Sequence, residues 1–244
     1  MNLNLFNGLP GPFDYPCPEI LFEDNHLIIV NKRASDIVQT DKTMDTPMTD
    51  AIKAYLRDKY NKPGNVFLGV VHRLDRPVSG AVIFARTSKA LERMNLMFRN
   101  REITKKYWAI VKDPPEEPSG HLKNFIRKNP LQNKSYIFTR EVKGSLLAEL
   151  KYRVMGMSER YTLLEVELMT GRHHQIRAQL SHIGCPIRGD LKYGYPRPNQ
   201  DVSISLHSRS IEFTHPVSGE GLKIKAKPPQ DPVWDFFLQI FGDE

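Results

Sequence analysis

Cysteine is scarce in this 244-residue sequence, which contains only Cys17 and Cys185. The two residues are far apart in the chain, so one molecule cannot build a disulfide framework or a zinc site made of several cysteines. A low cysteine content is typical of proteins from a reducing compartment. We therefore expect a cytoplasmic location.

Long apolar segments are also absent. The longest apolar runs, such as LIIV at 27–30 and AVIF at 81–84, fall far short of the roughly 20 residues that a membrane helix needs. The N-terminal sequence MNLNLFNGLPGPFDYPCPE shows no basic start followed by an apolar stretch, so it predicts no secretory signal. We expect a soluble protein with no membrane partner.

Several signatures of cofactor and metal chemistry are missing as well. The sequence has no GxGxxG after a predicted strand, no GxxxxGK followed by Ser or Thr, and no HExxH. Ser79 lies in PVSGA and not in the GxSxG turn of the α/β-hydrolases. His173 and His174 are adjacent, whereas a helical zinc pair needs histidines four residues apart. The usual nucleotide-binding and metalloprotease motifs are therefore excluded.

Positive charge is in excess. The sequence has 35 Lys and Arg against 28 Asp and Glu, a net charge of +7 and an isoelectric point near 9.3, which indicates a polyanionic partner. Between residues 121 and 143, basic side chains are interleaved with aromatic ones, a pattern that suits phosphate binding and base stacking. A solvated hairpin explains this pattern equally well. The basic residues are Lys123, Arg127, Lys128, Lys134, Arg140 and Lys143.

Most of the chain shows the spacing of short strands, with a few helical segments between them. Strands that are mostly linked by hairpins predict an α+β fold, with a large mixed, mainly antiparallel sheet and flanking helices. Residues 1–18 contain four prolines, which predict an extended arm. We expect strands over 27–31, 66–71, 80–86, 103–111, 145–157, 160–169, 203–214 and 222–227. We expect helices over 47–60, over 88–98 with Ser88 as its cap, over 171–184 with Gly184 at its end, and over 232–241.

The sequence VVHRLDRPVSGAVIFAR at 70–86 places charged residues between two apolar runs. Such a loop would present Asp75 at the edge of a rigid sheet, with Arg73 and Arg76 close enough to favour the ionised carboxylate. A carboxylate held in this way is a candidate nucleophile or base. A structural ion pair that fixes the turn is the alternative.

A second unusual block is GRHHQIRAQL, which begins at Gly171. If a helix starts near Arg172, its first turn offers free backbone donors that attract anions. His174 and Arg177 would share a helix face and point together at a cleft. A surface helix that is merely rich in arginine is the alternative.

Five blocks of the sequence resemble one family. HRLDRPVSG at 72–80 resembles the active-site signature HRLDxxTSG of the RluA-type pseudouridine synthases. Four further blocks resemble that family in the same order, so the resemblance spans about residues 20 to 230. They are ILFEDNHLIIVNK at 20–32, KKYWAIV at 105–111, TGRHHQIRAQLSHIGCPIRGDLKYG at 170–194 and LHSRSIEFTHPVSGE at 206–220.

The resemblance implies an activity and a set of site residues. RluA-type enzymes break the bond between uracil and ribose in RNA, rotate the base and rejoin it through carbon 5, without a cofactor or metal. The resemblance places the catalytic aspartate on Asp75 and the arginine that pairs with it on Arg177. It places the tyrosine that packs on the target base on Tyr107, and we consider Tyr107 a hypothetical acceptor of the carbon-5 proton. Arg73 matches an arginine that helps to fill the space left by the flipped base.

The resemblance also implies the pseudouridine synthase fold, in which the sheet borders a central RNA-binding cleft. The catalytic domain would cover 19–244, with no separate N-terminal RNA-binding domain. RNA selection then depends on the catalytic domain, chiefly on the basic stretches at 93–106 and 121–143. We expect a monomer without protein partners that acts on a structured RNA, either tRNA or rRNA. The expected RNA contacts are Arg73, Arg76, Arg172, His174, Lys123 and Arg127.

The sequence departs from the family pattern at two positions. Val78 stands where the family usually has Thr, and Arg33 stands where Pro commonly follows Lys32. The missing hydroxyl at Val78 keeps one alternative open, a catalytically idle RNA-binding protein with the same fold. A second alternative is another base-chemistry enzyme, such as a glycosylase, which would release uracil. Whether Asp75 attacks the sugar, attacks the base or removes a ribose proton is left open.

Overall fold

The computed structural model describes residues 17–40 and 45–242, so nearly all of the arm predicted over 1–18 lies outside the described residues. In the described part, eleven strands form one sheet. The strands are β1 (Glu19–Glu23), β2 (Leu27–Lys32), β3 (Gly69–Val70), β4 (Ser79–Ala85), β5 (Thr104–Val111), β6 (Ser119–Asn129), β7 (Lys134–Phe138), β8 (Leu146–Met157), β9 (Thr162–Leu168), β10 (Leu206–Thr214) and β11 (Gly221–Lys225). The helices are α1 (Met48–Lys59), α2 (Ser88–Asn100), α3 (Gln175–His182) and α4 (Pro232–Phe241), with a 3-10 turn at Leu191–Tyr193.

The strands follow the order β1-β2-β4-β10-β5-β9-β8-β6-β7, with β3 paired to β4 and β11 paired to β10. The β4–β10 pair is parallel, and the other pairs of described strands are antiparallel. The predicted α+β fold, with its large mixed and mainly antiparallel sheet and flanking helices, is confirmed. The central RNA-binding cleft stays a prediction.

Strand β2 is covered on both faces, which explains why its sequence is a continuous apolar run rather than an alternating one. Leu27 and Ile29 pack in a cluster with Met94 of α2. Ile28 and Val30 pack in a second cluster with Ile52 of α1. The two helices thus bury opposite faces of the same strand.

Strand β5 is covered in the same way. Tyr107 and Ala109 pack with Ile176 of α3, whereas Trp108 packs with Trp234 of α4. Helix α3 therefore lies against the centre of the sheet, on the face to which Tyr107 points. None of the described helices is both long and apolar enough to cross a membrane.

Two predicted boundaries at the N-terminal side of the sheet are wrong. Helix α2 is capped by Thr87, not by Ser88, because the Thr87 hydroxyl accepts the N–H of Ala90 at 3.2 Å and Ser88 is already helical. The strand predicted over 66–71 shortens to Gly69–Val70. It pairs with β4 at two positions, Gly69 with Ala85 and Val70 with Phe84.

The helix predicted over 171–184 begins later, at Gln175. His174 has φ of 53°, which is the left-handed region, so the residues before it do not continue the helix. Gly184, with φ of 81°, follows the end of α3 as predicted.

The parallel contact between β4 and β10 covers only two residue pairs, Ser79 with His207 and Gly80 with Ser208. Beyond it, β4 pairs with β3 and β10 pairs with β11, so the sheet forks here. Gly80 has φ of 115°, and a Cβ at this position would lie 2.4 Å from the Ser208 carbonyl oxygen. The close approach of the two strands therefore requires glycine.

We expect Gly80→Ala to destabilise the fold by roughly 2 to 5 kcal/mol, since it adds backbone strain to a steric clash. Urea unfolding measures the loss. Gly219→Ala is the matched control, because Gly219 also has positive φ but no atom lies within 4 Å of its Cβ position. The control should cost only about 1 kcal/mol. Equal losses for the two variants would show that the strand contact does not require glycine.

Candidate active site

A row of paired residues crosses the sheet at the fork. Gly80 of β4 pairs with Ser208 of β10, which pairs with Tyr107 of β5. Asp75 lies in the loop 71–78, just before β4 begins, and Val78 of that loop packs in one cluster with Tyr107. The sheet register therefore brings Asp75 and Tyr107 together, although they are distant in sequence.

The carboxylate of Asp75 meets a buried guanidinium, that of Arg177 in α3. Arg177 Nη1 donates to Asp75 Oδ2 at 3.1 Å. The other side of the guanidinium makes a two-point contact with Asp190, from Nε at 2.7 Å and from Nη2 at 2.9 Å. Arg177 and Asp190 are buried, whereas the Asp75 side chain is 29% exposed. Of the three groups, Asp75 offers the most surface to a bound molecule.

The charge of Arg177 is shared by the two carboxylates. Burial by itself lowers the pKa of Arg177, but the hydrogen bonds and charge of Asp190, together with those of Asp75, raise the pKa above its ordinary value. The ring of Tyr193 lies 5.1 Å from the guanidinium carbon and adds a cation–π contact. Asp75 Oδ1 makes no hydrogen bond within the described part of the chain, so this oxygen is available to a substrate atom.

The Tyr107 side chain is buried and keeps its proton. Burial, reinforced by the charge of Asp75, raises the pKa of Tyr107 to about 12. A phenol with this pKa is protonated at neutral pH and acts as a hydrogen-bond donor. The side chain is therefore suited to stacking and to donation rather than to proton abstraction.

His174 is buried beside Asp75, with Nε2 at 3.6 Å from Asp75 Oδ2. Burial, with the nearby charge of Arg177, lowers the pKa of His174 to about 2, so the imidazole is neutral. Its Nδ1 lies 3.0 Å from the hydroxyl of Tyr193, which already accepts the N–H of Ser135 at 2.8 Å. Because a carboxylate only accepts, the tautomer that suits the contact with Asp75 has its N–H at Nε2, and Tyr193 then donates to Nδ1. A neutral ring supplies no charge for a phosphate, so the predicted RNA contact at His174 would have to be an uncharged one.

Gln175 anchors the first turn of α3. Its side-chain oxygen accepts the Arg172 N–H at 3.0 Å and the Thr170 hydroxyl at 2.7 Å. Its side-chain nitrogen donates to the Glu149 carbonyl and to Gln179 Oε1, both at 3.0 Å. All four hydrogen-bonding positions of the buried amide are used, which fixes the start of the helix.

Arg73 and Arg76 were expected to lie close enough to Asp75 to favour its ionised form, but among the described residues neither forms an ion pair with it. Arg76 Nη2 lies 2.8 Å from Asp45 Oδ2, and Arg73 is exposed. The charged partner of Asp75 is Arg177.

The other predicted RNA contacts lie near β6, β7 and the start of α3. Arg172 Nε donates to a backbone carbonyl at 2.9 Å. Lys123 is 62% exposed, with Nζ at 3.3 Å from Glu149. The Arg127 guanidinium lies 5.0 Å from the ring centre of Phe138. Residues 127–130 and 136–138 line a groove of about 530 Å³ along this hairpin.

Three residues around the candidate site were missed by the sequence-based prediction: Asp190, Tyr193 and Gln175. The first two lie in the GDLKYG end of the block at 170–194, so the resemblance contained a signal for them. Nothing in the local sequence places a carboxylate 13 positions beyond Arg177 against its guanidinium. The turns after α3 bring Asp190 back to it.

No cluster of three or more His, Cys, Asp or Glu side chains that could hold a metal ion occurs in residues 17–40 and 45–242. The expectation of a reaction without metal or cofactor stays a prediction.

Comparison with known sequences adds a family assignment. A family model described as RNA pseudouridylate synthase matches residues 26–182. A protein from Vibrio cholerae named tRNA pseudouridine synthase C is 32% identical over 242 residues, which cover 92% of this chain and 96% of the relative. A protein from Zymomonas mobilis named ribosomal large subunit pseudouridine synthase D is 30% identical over 230 residues, which cover 90% of this chain and 72% of the relative.

Solved structures show the same fold. Human RNA pseudouridylate synthase domain containing 4 has a TM-score of 0.76 and 23% identity, with 91% of this chain and 92% of that chain covered. Human RNA pseudouridylate synthase domain containing 1 has a TM-score of 0.70 and 19% identity, with 93% and 95% covered.

We expect Asp190→Asn to destabilise the protein by about 3 kcal/mol, because it removes one partner of a buried ion pair and leaves Arg177 only Asp75. Thermal or urea unfolding tests this loss. Glu212→Gln is the matched control: the Glu212 carboxylate lies 3.6 Å from Lys223, and both side chains are more than half exposed. The control should cost at most about 0.5 kcal/mol. Losses of similar size would contradict the role of Asp190 as a buried counter-ion.

Proposed function

The chain belongs to the RNA pseudouridylate synthase family, and we propose that it isomerises a specific uridine of a tRNA or an rRNA with Asp75 as its catalytic carboxylate. It is a pseudouridine synthase, an isomerase that acts on RNA. The observation that carries the assignment of Asp75 is its contact with Arg177. A partly exposed carboxylate is held at one oxygen by a buried cation, and its second oxygen makes no hydrogen bond with the described residues.

The reaction explains why the carboxylate must be fixed. A uridine in folded RNA hides its glycosidic bond, so the base must first leave the stack, at a cost of a few kcal/mol. Once the bond breaks, uracil must turn about the carboxylate without escaping. Arg177 holds one Asp75 oxygen and balances its charge, so the other oxygen keeps a defined direction toward the nucleotide.

Tyr107 supports the target base by stacking. Its ring packs next to Val78, and the residue is 5% exposed in the free protein, so a base has to reach the ring through the small part that is open. Because the pKa of Tyr107 is raised to about 12, the hydroxyl is protonated and is a poor acceptor for the proton that leaves carbon 5. We therefore assign Tyr107 to stacking.

The names of the relatives support a structured RNA as substrate. The Vibrio cholerae relative is named as a tRNA enzyme and the Zymomonas mobilis relative as an enzyme of the large ribosomal subunit. We propose one of these two RNA classes as substrate for this chain, which would act as a cytoplasmic monomer. Free uracil among the products would instead indicate a glycosylase.

The alternative of a catalytically inactive RNA-binding protein depended on Val78, which stands where the family usually has Thr. The Val78 side chain is buried, and its backbone N–H and carbonyl hold the turn through Asp75 and Lys32. These hydrogen bonds need no side-chain hydroxyl. The catalytic turn is therefore held together with valine in this position, which favours an active enzyme.

We propose that the β6–β7 hairpin binds the phosphate backbone of the RNA. Lys123 and Arg127 are exposed, and the 530 Å³ groove beside Arg127 combines basic and aromatic side chains. The pairing of Lys123 with Glu149 is solvent-exposed on the lysine side and therefore weak, so a phosphate can displace it.

We expect Asp75→Asn to fold and to bind RNA like the wild type but to form no pseudouridine, because an amide is a far poorer nucleophile or base than a carboxylate. Pseudouridine mapping of tRNA and rRNA incubated with each protein measures the effect. Glu212→Gln controls for loss of one negative charge. Substantial turnover by Asp75→Asn would remove Asp75 from the catalytic role.

We expect Lys123→Ala combined with Arg127→Ala to weaken the binding of all structured RNAs alike, with the rate at saturating RNA near that of the wild type. Each lost phosphate contact should reduce the slope of log affinity against log salt by about one unit or less. Binding titrations at several salt concentrations measure this slope. The control is Lys223→Ala combined with Lys225→Ala, which removes the same charge from β11. If the salt slope of the Lys123→Ala, Arg127→Ala variant were unchanged, the hairpin would be a solvated surface that does not bind RNA.

A further inference from the structure

Leu131 is the most exposed large apolar residue in the described part of the chain. It is 97% exposed, whereas no other such residue there exceeds the 75% of Val202. A single exposed apolar side chain is common on protein surfaces and by itself needs no explanation. Leu131 differs because it lies at the tip of the β6–β7 hairpin, on a turn that is held rigid beside the candidate active site.

The turn at 130–133 is fixed by its own hydrogen bonds. Asn129 Oδ1 accepts the N–H groups of Leu131 at 3.0 Å and of Gln132 at 3.3 Å. The Asn133 N–H donates to the Pro130 carbonyl at 3.4 Å, and Asn133 has φ of 44°, in the left-handed region. A side chain that caps a turn in this way orders its backbone. The turn therefore presents Leu131 in a defined direction.

The end of the turn is tied to the segments around α3. The Asn133 carbonyl accepts from Lys192 Nζ at 3.1 Å, and Asn133 Oδ1 lies 3.1 Å from His173 Nε2. Two residues further on, the Ser135 N–H donates to the Tyr193 hydroxyl at 2.8 Å. The tip is therefore joined to the residues that surround the candidate active site.

A short series of contacts leads from the turn to Asp75. The ring of His173 stacks on that of His174, with centres 3.8 Å apart, and His174 Nε2 lies 3.6 Å from Asp75 Oδ2. Leu131 is two residues from Asn133, a separation that the backbone limits to about 7 Å. The apolar tip therefore stands at the edge of the site, where it can contact RNA next to a uridine at Asp75.

The charges around the tip suit a nucleic acid. Residues 118–140 include five Lys and Arg and no Asp or Glu. Burial is the main cause of the lowered pKa of His174, and the charges of Lys192 and Lys128 contribute, so both ammonium groups lie near the site. Such a surface attracts phosphates, and an RNA bound there brings its stacked bases against the apolar tip.

An apolar side chain inserted between two bases stabilises an opened stack. A uridine must leave its stack before it reaches the carboxylate, and the cost of unstacking opposes this step. Proteins that kink nucleic acids insert leucine and similar side chains between base steps. Insertion also removes an exposed leucine from water. Both effects favour the same bound state.

We propose that Leu131 is an apolar wedge that enters the base stack next to the target uridine and holds it open while the uridine occupies the site. The inference rests on the proposed function, because it assumes that the uridine leaves its stack. It differs from the role predicted for Arg73. Arg73 fills the space of the flipped base, whereas Leu131 separates neighbouring bases.

The first experiment measures single-turnover pseudouridine formation at saturating RNA, with the tRNA and rRNA used for mapping. Leu131→Ala and Leu131→Gln should react about tenfold more slowly, because burial of one leucine side chain is worth at least a factor of this size in the opening equilibrium. Leu131→Met keeps an apolar side chain of similar length and should react within about threefold of the wild type. Because Leu131 packs against so little of the free protein, all three variants should keep the wild-type melting temperature.

Ile240→Ala is the matched control. Ile240 is 56% exposed and lies in α4, on the face of the sheet opposite to α3, so its truncation should leave rate and affinity unchanged. RNA affinity is measured on the same samples. The Leu131 variants should keep their affinity within about threefold of the wild type, since their phosphate contacts are intact.

The second experiment reports on the base stack directly and needs no turnover. Permanganate oxidises uridines that are unstacked, so it detects opening in the bound RNA. When tRNA and rRNA are bound to Asp75→Asn, some of their uridines should become more reactive. Adding Leu131→Ala to Asp75→Asn should reduce this increase about tenfold, whereas adding Ile240→Ala should not change it.

A wild-type rate for Leu131→Ala would overturn the proposal and make the tip a contact for another macromolecule, such as a protein. A permanganate pattern that does not change with Leu131→Ala, or bound RNA without any increase in reactivity, would overturn it as well. A loss confined to RNA affinity would make Leu131 an ordinary contact and not a wedge. If the wild type forms no pseudouridine, the proposed function fails, while the permanganate experiment still decides whether Leu131 opens the stack.

Discussion

The candidate active site depends on one buried guanidinium. Arg177 joins three segments that are separate in sequence: the loop of Asp75, helix α3 and the turn at Asp190. A buried cation is costly unless it is paired and hydrogen-bonded. Two of the five N–H groups of Arg177 donate to Asp190, and a third donates to Asp75. Chain segments that must each approach the same cation cannot move independently.

The same guanidinium separates the roles of two aspartates. Asp190 is 1% exposed, and each of its two oxygens accepts a hydrogen bond from Arg177. Asp190 is therefore not accessible to a substrate. Asp75 is bound at one oxygen and partly exposed. His174, which is neutral, also lies beside the Asp75 oxygen that Arg177 binds, and it adds a polar contact without a second charge. The environment, and not the residue type, buries one carboxylate in an ion pair and leaves the other open to a bound molecule.

The fork in the sheet explains where this site forms. Strands β4 and β10 are in contact over two residue pairs, and Gly80 is the residue that lets them approach. The loop 71–78 enters β4 at this contact, Lys32 lies at the end of β2 beside it, and Tyr107 lies in the same row on β5. A rigid sheet thus surrounds an irregular loop, and the loop obtains its geometry from hydrogen bonds to the sheet.

Local sequence patterns predicted eight of the eleven described strands, all four helices and several site residues, but they missed β1 and gave β6 and β7 only as an alternative hairpin. The apolar runs of β2 and β4 predicted buried strands, because both faces of these strands are covered by helices. The boundaries failed where a single side chain or a backbone angle decides them, as with Thr87 at the cap of α2 and His174 before α3. The first boundary depends on a hydrogen bond from one N–H group to one side chain, and the second depends on the φ angle of a single residue. The spacing of apolar residues in the sequence indicates neither of them.

The sequence by itself determined the fold class and the family, and it identified Asp75, Tyr107 and Arg177 as candidates through the order of five blocks. The resemblance also implied that Arg177 pairs with Asp75, and the structure contains this ion pair. Only the tertiary structure showed that Asp190 is the second partner of Arg177. Ion pairs and hydrogen bonds depend on distances of about 3 Å between atoms. Those distances are set by strand register and helix packing, which join residues that no local pattern connects.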